Sequence, residues 1–233
     1  MRSLLTPPRS LESELLDAPD VDPDVVTRSL RDVAMSNTLF GGRSAAIEEF
    51  KDVLRELPRR ASLLDVGTGL GDIPAHAREI AHESGIELQA FGLDAAEELT
   101  RASRPAIDFA VCGNALELPF RNRSVDVVMC SQVLHHFSRA DAVMLLREMD
   151  RVARVRVIVS DLRRSRVAAA GLWLASFPLG FHAVSRHDGV VSVMRGFTPA
   201  ELLDTVSEAV TRPATVRQRR IFRVTTSWAP RHR

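Results

Sequence analysis

Leu63-Leu64-Asp65-Val66-Gly67-Thr68-Gly69-Leu70-Gly71-Asp72 decides the fold. A short apolar run reads as a buried strand, and the three alternating glycines that follow lead into a helical pattern. Glycines at such a junction let the backbone turn tightly and approach a ligand beside a helix N-terminus. A dinucleotide fingerprint, Gly-x-Gly-x-x-Gly, would need glycine at position 72, where Asp72 stands. An acid at the helix mouth, with Asp65 before the turn, disfavours a pyrophosphate and suits a cationic or hydroxyl-bearing ligand.

Outward from this loop, apolar runs at Ser62–Val66, Glu87–Leu93, Ile107–Val111, Val125–Cys130 and Val155–Ser160 alternate with helical stretches near 73–83, 96–103 and 140–152. Continuous apolar strands spaced by helices predict a parallel sheet covered on both faces. Upstream, Asp22-Pro23 caps a helix over about 23–36 that Gly41-Gly42 ends, and a second helix runs from about Ser44 to Leu57, with Pro58 as its stop. Downstream, Thr198 caps a helix to about Ala209, and strands at 213–218 and 221–227 close the chain.

Composition removes several chemistries. The 233 residues suit one large domain or a domain with an appendage. Lys51 is the only lysine and follows Phe50, so a Walker phosphate loop is excluded; tyrosine is absent, which excludes a Tyr-x-x-x-Lys dehydrogenase. Residues 1–146 hold 15 basic and 23 acidic residues, a balance of −8, and residues 147–233 hold 16 and 7, a balance of +9. The arginines of the basic part are scattered through alternating and helical patterns, which reads as solvated faces rather than a nucleic-acid surface. Cys112 and Cys130 sit in apolar runs without Cys-x-x-Cys spacing, as buried reduced thiols of a cytoplasmic protein would. Met1 to Pro8 lacks a signal-peptide apolar stretch, and the longest apolar run, Val167 to Phe181, is broken by Pro178 and too short for a bilayer span.

Four ordered motifs carry a family resemblance: Asp65 to Gly71; Phe91-Gly92-Leu93-Asp94; Gly113-Asn114-Ala115-Leu116-Glu117-Leu118-Pro119-Phe120; and Val125-Asp126-Val127-Val128-Met129-Cys130-Ser131-Gln132-Val133-Leu134-His135-His136-Phe137. Over about residues 37–161 the sequence resembles the class I S-adenosylmethionine-dependent methyltransferases, in the type 11-like group that includes ubiquinone and menaquinone methyltransferases. The resemblance implies a Rossmann-like, mostly parallel seven-stranded sheet in the order 3-2-1-4-5-7-6, with helices on both faces. It divides the chain into an N-terminal helical segment or lid, 1–58, and a methyltransferase domain, 59–233, with a substrate-lid insertion at about 162–198. Asn37-Thr38-Leu39-Phe40-Gly41-Gly42 looks like the family segment that folds over the cofactor; a helix stop and linker is the other reading.

The resemblance also implies S-adenosylmethionine as cofactor, held by Asp65, Gly67, Thr68, Gly69, Gly71, Asp94, Ala95, Asn114, Ala115, Leu116, Ser131 and Gln132. Asp94, ending its strand, can accept both ribose hydroxyls; Asn114 to Leu116 would surround the adenine. No metal is expected. Methyl transfer from a sulfonium is mostly a matter of alignment, with a base needed only when the acceptor must lose a proton.

The fourth motif lacks Asp/Asn-Pro-Pro-aromatic, and no proline precedes Cys130, so neither nucleobase chemistry is supported. His136 and His135, after the fourth strand, are candidate bases toward a phenol or enol, and His187 beside Asp188 is another, unless those residues form only a polar turn before Gly189. Trp173, Phe177 and Phe181 recur every four residues and could line a pocket wall if Pro178 does not turn the helix; core packing and a membrane-surface role are the alternatives.

The reading is a methyltransferase of secondary metabolism acting on a small aromatic or lipid-like acceptor, with oxygen favoured and carbon next. A catalytically silent cofactor-binding regulatory protein is the rival. The expected state is a cytoplasmic monomer or homodimer without nucleic acid or stable membrane insertion, and peripheral membrane contact is compatible with it.

Overall fold

The computed structural model describes residues 6–18, 21–211 and 213–230. Parts of the expected 1–58 segment (1–5 and 19–20) and residues 212 and 231–233 lie outside them. The strands are β1 (Arg60–Val66), β2 (Glu87–Asp94), β3 (Phe109–Cys112), β4 (Val125–Ser131), β5 (Ala153–Leu162), β6 (Thr215–Arg219) and β7 (Arg223–Trp228). They form one sheet in the order β3-β2-β1-β4-β5-β7-β6. β1 to β5 pair in parallel, and β7 runs antiparallel to β5 and β6, as the resemblance implied.

The helices are α1 (Pro23–Leu39), α2 (Gly42–Val53), α3 (Asp72–Glu83), α4 (Glu97–Ser103), α5 (Arg139–Val152), α6 (Arg166–Ser176), α7 (Ala183–Arg195) and α8 (Pro199–Ala209). The strands are apolar on both faces because both are covered. Leu64, Val128, Cys130 and Val157 join a core with Leu145, Met149 and Leu202 of α5 and α8. Leu63, Val127, Met129 and Ile158 join a second core with Phe50 of α2 and Ala77 of α3. Glu49 of α2 is a buried carboxylate that pairs with Arg217 and Arg219, tying α2 to the β6–β7 hairpin.

Several local expectations shift. α1 runs to Leu39, and α2 starts at Gly42 because Gly41, at φ 76°, makes the corner. α2 ends at Val53 in a 3-10 turn, Leu54–Glu56, rather than at Leu57. β5 extends to Leu162, and the insertion is not one helix: α6 stops at Ser176, before Pro178, and the expected turn at 186–189 lies inside α7, which His182 caps. Cys130 is buried as expected, but Cys112 is exposed because β3 is a four-residue edge strand.

Candidate functional site

At the carboxyl edge of β1 the chain turns through Gly67, Gly69 and Gly71, each with φ between 55° and 77°. A Cβ on Gly67 would stand 2.2 Å from Val133 Cγ2, so glycine is required there, whereas one on Gly69 would meet nothing within 4 Å. The loop is pinned by the neighbouring strand. The amides of Gly67 and Thr68 donate to the Leu93 carbonyl, and the Gly69 amide donates to Asp94 Oδ2 at 3.0 Å. Asp94 Oδ1 accepts from the Ala96 amide, so the carboxylate is fixed at the end of β2.

Across β1, Gln132 follows the end of β4 at φ 57°, a left-handed conformation that costs a residue with a Cβ roughly 1–2 kcal/mol. Its Nε2 donates to Asn37 Oδ1 at 2.8 Å and would touch any Cβ on Gly42, so the α1–α2 junction is fastened to the sheet edge.

These parts surround a cavity of about 910 Å³, at the upper end of the range for small-molecule sites. The glycine loop, Asp94, Ala95, Ala115, Ser131 and Gln132 line one part. Val26 and Leu30 of α1, Gly171 and Leu172 of α6, and Phe181 and Gly189 line another, predominantly apolar part. Near the loop, Asp65 Oδ1, Thr68 Oγ1 and Ser131 Oγ are buried without a hydrogen-bond partner. Burial pushes the Asp65 carboxyl up to about 8 against the pull of the neighbouring Thr68 hydroxyl, and nearby Asp72 and Asp94 add to the shift. Unsatisfied buried polar atoms beside an open, glycine-floored cradle fit a ligand carrying hydroxyls and an ammonium, the polar groups of S-adenosylmethionine.

On the other side, Asp161 ends β5 beside the turn after β4. It accepts from the His135 amide at 3.0 Å and lies 2.7 Å from His135 Nδ1. Burial alone would raise the Asp161 pKa, but the charge of His135 and hydrogen bonds from its ring and the backbone outweigh it and hold the group below the usual carboxylate range. An ionised Asp161 requires a proton on His135 Nδ1, and Nε2 has no hydrogen-bond partner; in the neutral ring so oriented, Nε2 is the atom that carries the lone pair.

Glu14 Oε1 lies 3.8 Å from the Nε2 atoms of both His135 and His136. Burial raises the Glu14 pKa, against the attraction of His135 and a hydrogen bond from Ser192. His136 is pushed down to about 3 by burial, by His135 and by Arg195, so it is neutral at physiological pH and a weak proton acceptor. Glu14, His135 and His136 offer donor atoms within 4.8 Å of one another, a set that could hold a cation.

The N-terminal residues strap this corner. Arg9 donates to the carbonyls of His135 and Phe137 and lies 4.7 Å over the Phe197 ring, while Asp188 accepts from the amides of Leu15 and Leu16. Arg223, buried at the start of β7, also lines the cavity; it donates through Nε to the Phe40 carbonyl, and Nη1 lacks a partner. Burial draws its pKa down to about 10, partly offset by Asp161.

Several sequence-derived site residues stand elsewhere. Asn114 is exposed and spends Oδ1 on the Leu116 amide, while Leu116 packs against the core, so only Ala115 of the three reaches the cavity. Asp65 and Gly71 support the loop from behind its wall. His187 is not in the wall either: it lies on an outer face of α7, between Asp188 and Glu12. The expected pair forms, at 2.9 Å, but with His187 outside the cavity. The helix ends at Ser176, so the three do not share one helical face: Trp173 and Phe177 are about half exposed, and Phe181 alone lines the cavity. Sequence reasoning missed Glu14, Asp161 and Arg223 as site residues. The strand-end rule that singled out Asp94 applies equally to Asp161; no local signal marks Glu14 or Arg223.

Residues 64–159 match the family profile described as a methyltransferase domain. The demethylmenaquinone methyltransferase of Roseiflexus sp. (strain RS-1) is 28% identical over 176 residues, covering 70% of this chain and 71% of that protein. The demethylmenaquinone methyltransferase of Deinococcus radiodurans is 35% identical over 158 residues, covering 65% of this chain and 61% of its own length. Among solved structures, the plantazolicin methyltransferase BpumL in complex with SAH superposes with a TM-score of 0.67 at 13% identity, over 90% of this chain and 91% of that one. A SAM-dependent methyltransferase from Aquifex aeolicus gives 0.59 at 15% identity, over 90% and 98%. The two structural likenesses show the fold.

Proposed function

We propose that this chain, a class I S-adenosylmethionine-dependent methyltransferase, methylates a hydroxyl of a small aromatic or lipid-like acceptor held in the apolar part of the cavity. The observation that carries this reading is the continuity of one cavity from the glycine loop and Asp94 to the His135–Asp161 pair. When bound, S-adenosylmethionine supplies a methyl group on a sulfonium whose departure needs no assistance.

Asp94 would accept the ribose hydroxyls and the Gly67–Gly69 backbone would pass beneath the nucleoside, with Asp65 bracing that turn from behind the wall. Ala95 and Ala115 suit the adenine, and Ser131 and Gln132 the amino-acid end. Val26, Leu30, Leu172 and Phe181 would exclude water around the acceptor, and the described part of the N-terminal segment would serve as a lid through Glu14, Asn37 and Phe40. His135 Nε2 would take the acceptor proton, and Asp161 would steady the imidazolium that results. His136, neutral, shapes the wall. Carbon methylation would use the same cavity with less demand on His135. The reading is of a cytoplasmic enzyme working without a metal.

A panel of phenols, quinols and fatty acids incubated with methyl-labelled cofactor tests it. Label should enter the apolar hydroxylated acceptors, and EDTA should not alter the rate. No transfer to any of them would favour the silent-binder reading, and loss of transfer on chelation would reassign Glu14, His135 and His136 to a metal.

A further inference from the structure

Helix α6 turns one face to the cavity and another to solvent. Its Gly171 and Leu172 belong to the wall, while Trp173, Leu174 and Phe177 just beyond stand 47%, 62% and 49% exposed. No charged residue occurs from Val167 to Phe181. The exposed apolar surface continues around the mouth: Val33 of α1 and Ile221 of the β6–β7 turn are about half exposed and line the same cavity. Scattered exposed apolar residues need no explanation, but a contiguous group rimming a cavity marks an interaction site.

Charge identifies the partner. Arg28, Arg166, Arg186 and Arg220, around this rim, have no carboxylate ion-pair partner among the described residues. Arg186 lies 3.9 Å over the Phe177 ring, and Arg28 donates to the Gly180 carbonyl, so two of the free cations are held against the apolar patch. Exposed Trp, Leu and Phe flanked by unpaired arginine is the composition of a surface that lies in a headgroup region. No helix of the described residues is long and apolar enough to cross a membrane.

We propose that this rim docks onto an anionic lipid bilayer, with Trp173, Leu174 and Phe177 at the boundary between headgroups and acyl chains and the free arginines against lipid phosphates. The docked orientation sets the cavity mouth on the bilayer, so a lipid-like acceptor enters without crossing water; that consequence rests on the apolar-acceptor reading above.

The chain offers its own reporter, because its two tryptophans differ: Trp173 is on the patch and Trp228 is 2% exposed. The full chain is mixed with phosphatidylglycerol–phosphatidylcholine vesicles and with phosphatidylcholine vesicles alone. Co-sedimentation and a blue shift of tryptophan emission are expected with the anionic vesicles. Binding should weaken at least tenfold for Leu174→Glu and for Arg166→Glu, and in 0.5 M salt, roughly the effect of removing an apolar anchor or a few phosphate contacts. Both variants should bind S-adenosylmethionine like the parent chain.

Absence of co-sedimentation and of the shift overturns the proposal, as does unchanged vesicle binding in Leu174→Glu. Sedimentation equilibrium showing a dimer that Leu174→Glu dissociates would give the patch to a second copy and likewise overturn it. In any of these cases, methyl transfer to a water-soluble phenol would leave the reading of the cavity standing.

Discussion

The two halves of the cavity are built in different ways. The cofactor half is backbone: three left-handed glycines, amides fastened to Leu93 and Asp94, and strand ends in register, all within residues 65–132. The apolar half is side chain, gathered from the N-terminal strap, α1, α6, α7 and the β6–β7 turn, and joined by hydrogen bonds such as that from Arg9 to the His135 carbonyl, 126 residues away. The difference teaches where specificity can drift. A backbone cradle tolerates little change, whereas an assembled apolar wall can be rebuilt residue by residue around a new acceptor.

If the halves are separable, their variants should fail separately. The largest effect is expected at His135. His135→Gln, which keeps a hydrogen-bonding group toward Asp161, should lower kcat by about 10²–10⁴ while cofactor affinity holds. Asp94→Ala should do the opposite, weakening the cofactor by about 2–3 kcal/mol, the scale of hydrogen bonds to a charged group, with little loss at saturating cofactor. Equal damage to both parameters in either variant would break the comparison.

Asp65 acts on stability, with a definite sign. Its folded pKa, about 8, is above the unfolded value near 3.8, so folding favours the protonated form. The stability it contributes is fully present below the unfolded value and is lost as pH rises toward 8. Thermal unfolding of the cofactor-free chain should therefore show Asp65→Asn as more stable than the parent at pH 8, by up to about 5 kcal/mol at about 1.4 kcal/mol per pKa unit, with the gap closing toward pH 4. A gap that widens on acidification would contradict the burial argument. The smallest effect belongs to Trp173→Ala: with the ring half exposed, kcat/KM on a water-soluble acceptor should change less than about threefold, near 0.6 kcal/mol.

The same contrast explains what the sequence made legible. The sheet order, the glycine loop and Asp94 follow from local signals, because a strand, a tight turn and a helix start are each written in adjacent residues. The pairing of His135 with Asp161 depends on the register of β4 against β5, Ser131 opposite Ser160, which no single stretch encodes. Glu14 reaches the site only because Asp188 and Ser192 of α7 hold the strap. His187 beside Asp188 looked like a base and its orienter; the two do pair at 2.9 Å, but only Asp188 lines the cavity and His187 lies outside its wall. Trp173, Phe177 and Phe181 share a period but no common helix: α6 ends at Ser176, and Phe181 stands in the link before α7.

The central claim is that the carboxyl edge of β1 and β2 holds the nucleoside of a sulfonium rather than a dinucleotide. Calorimetric titration of the unmodified chain with S-adenosylmethionine, its demethylated product and NAD tests this most directly. Binding of the first two in the micromolar range, about −8 kcal/mol, with no heat from NAD, is the predicted result; tight NAD binding with neither of the others would contradict it.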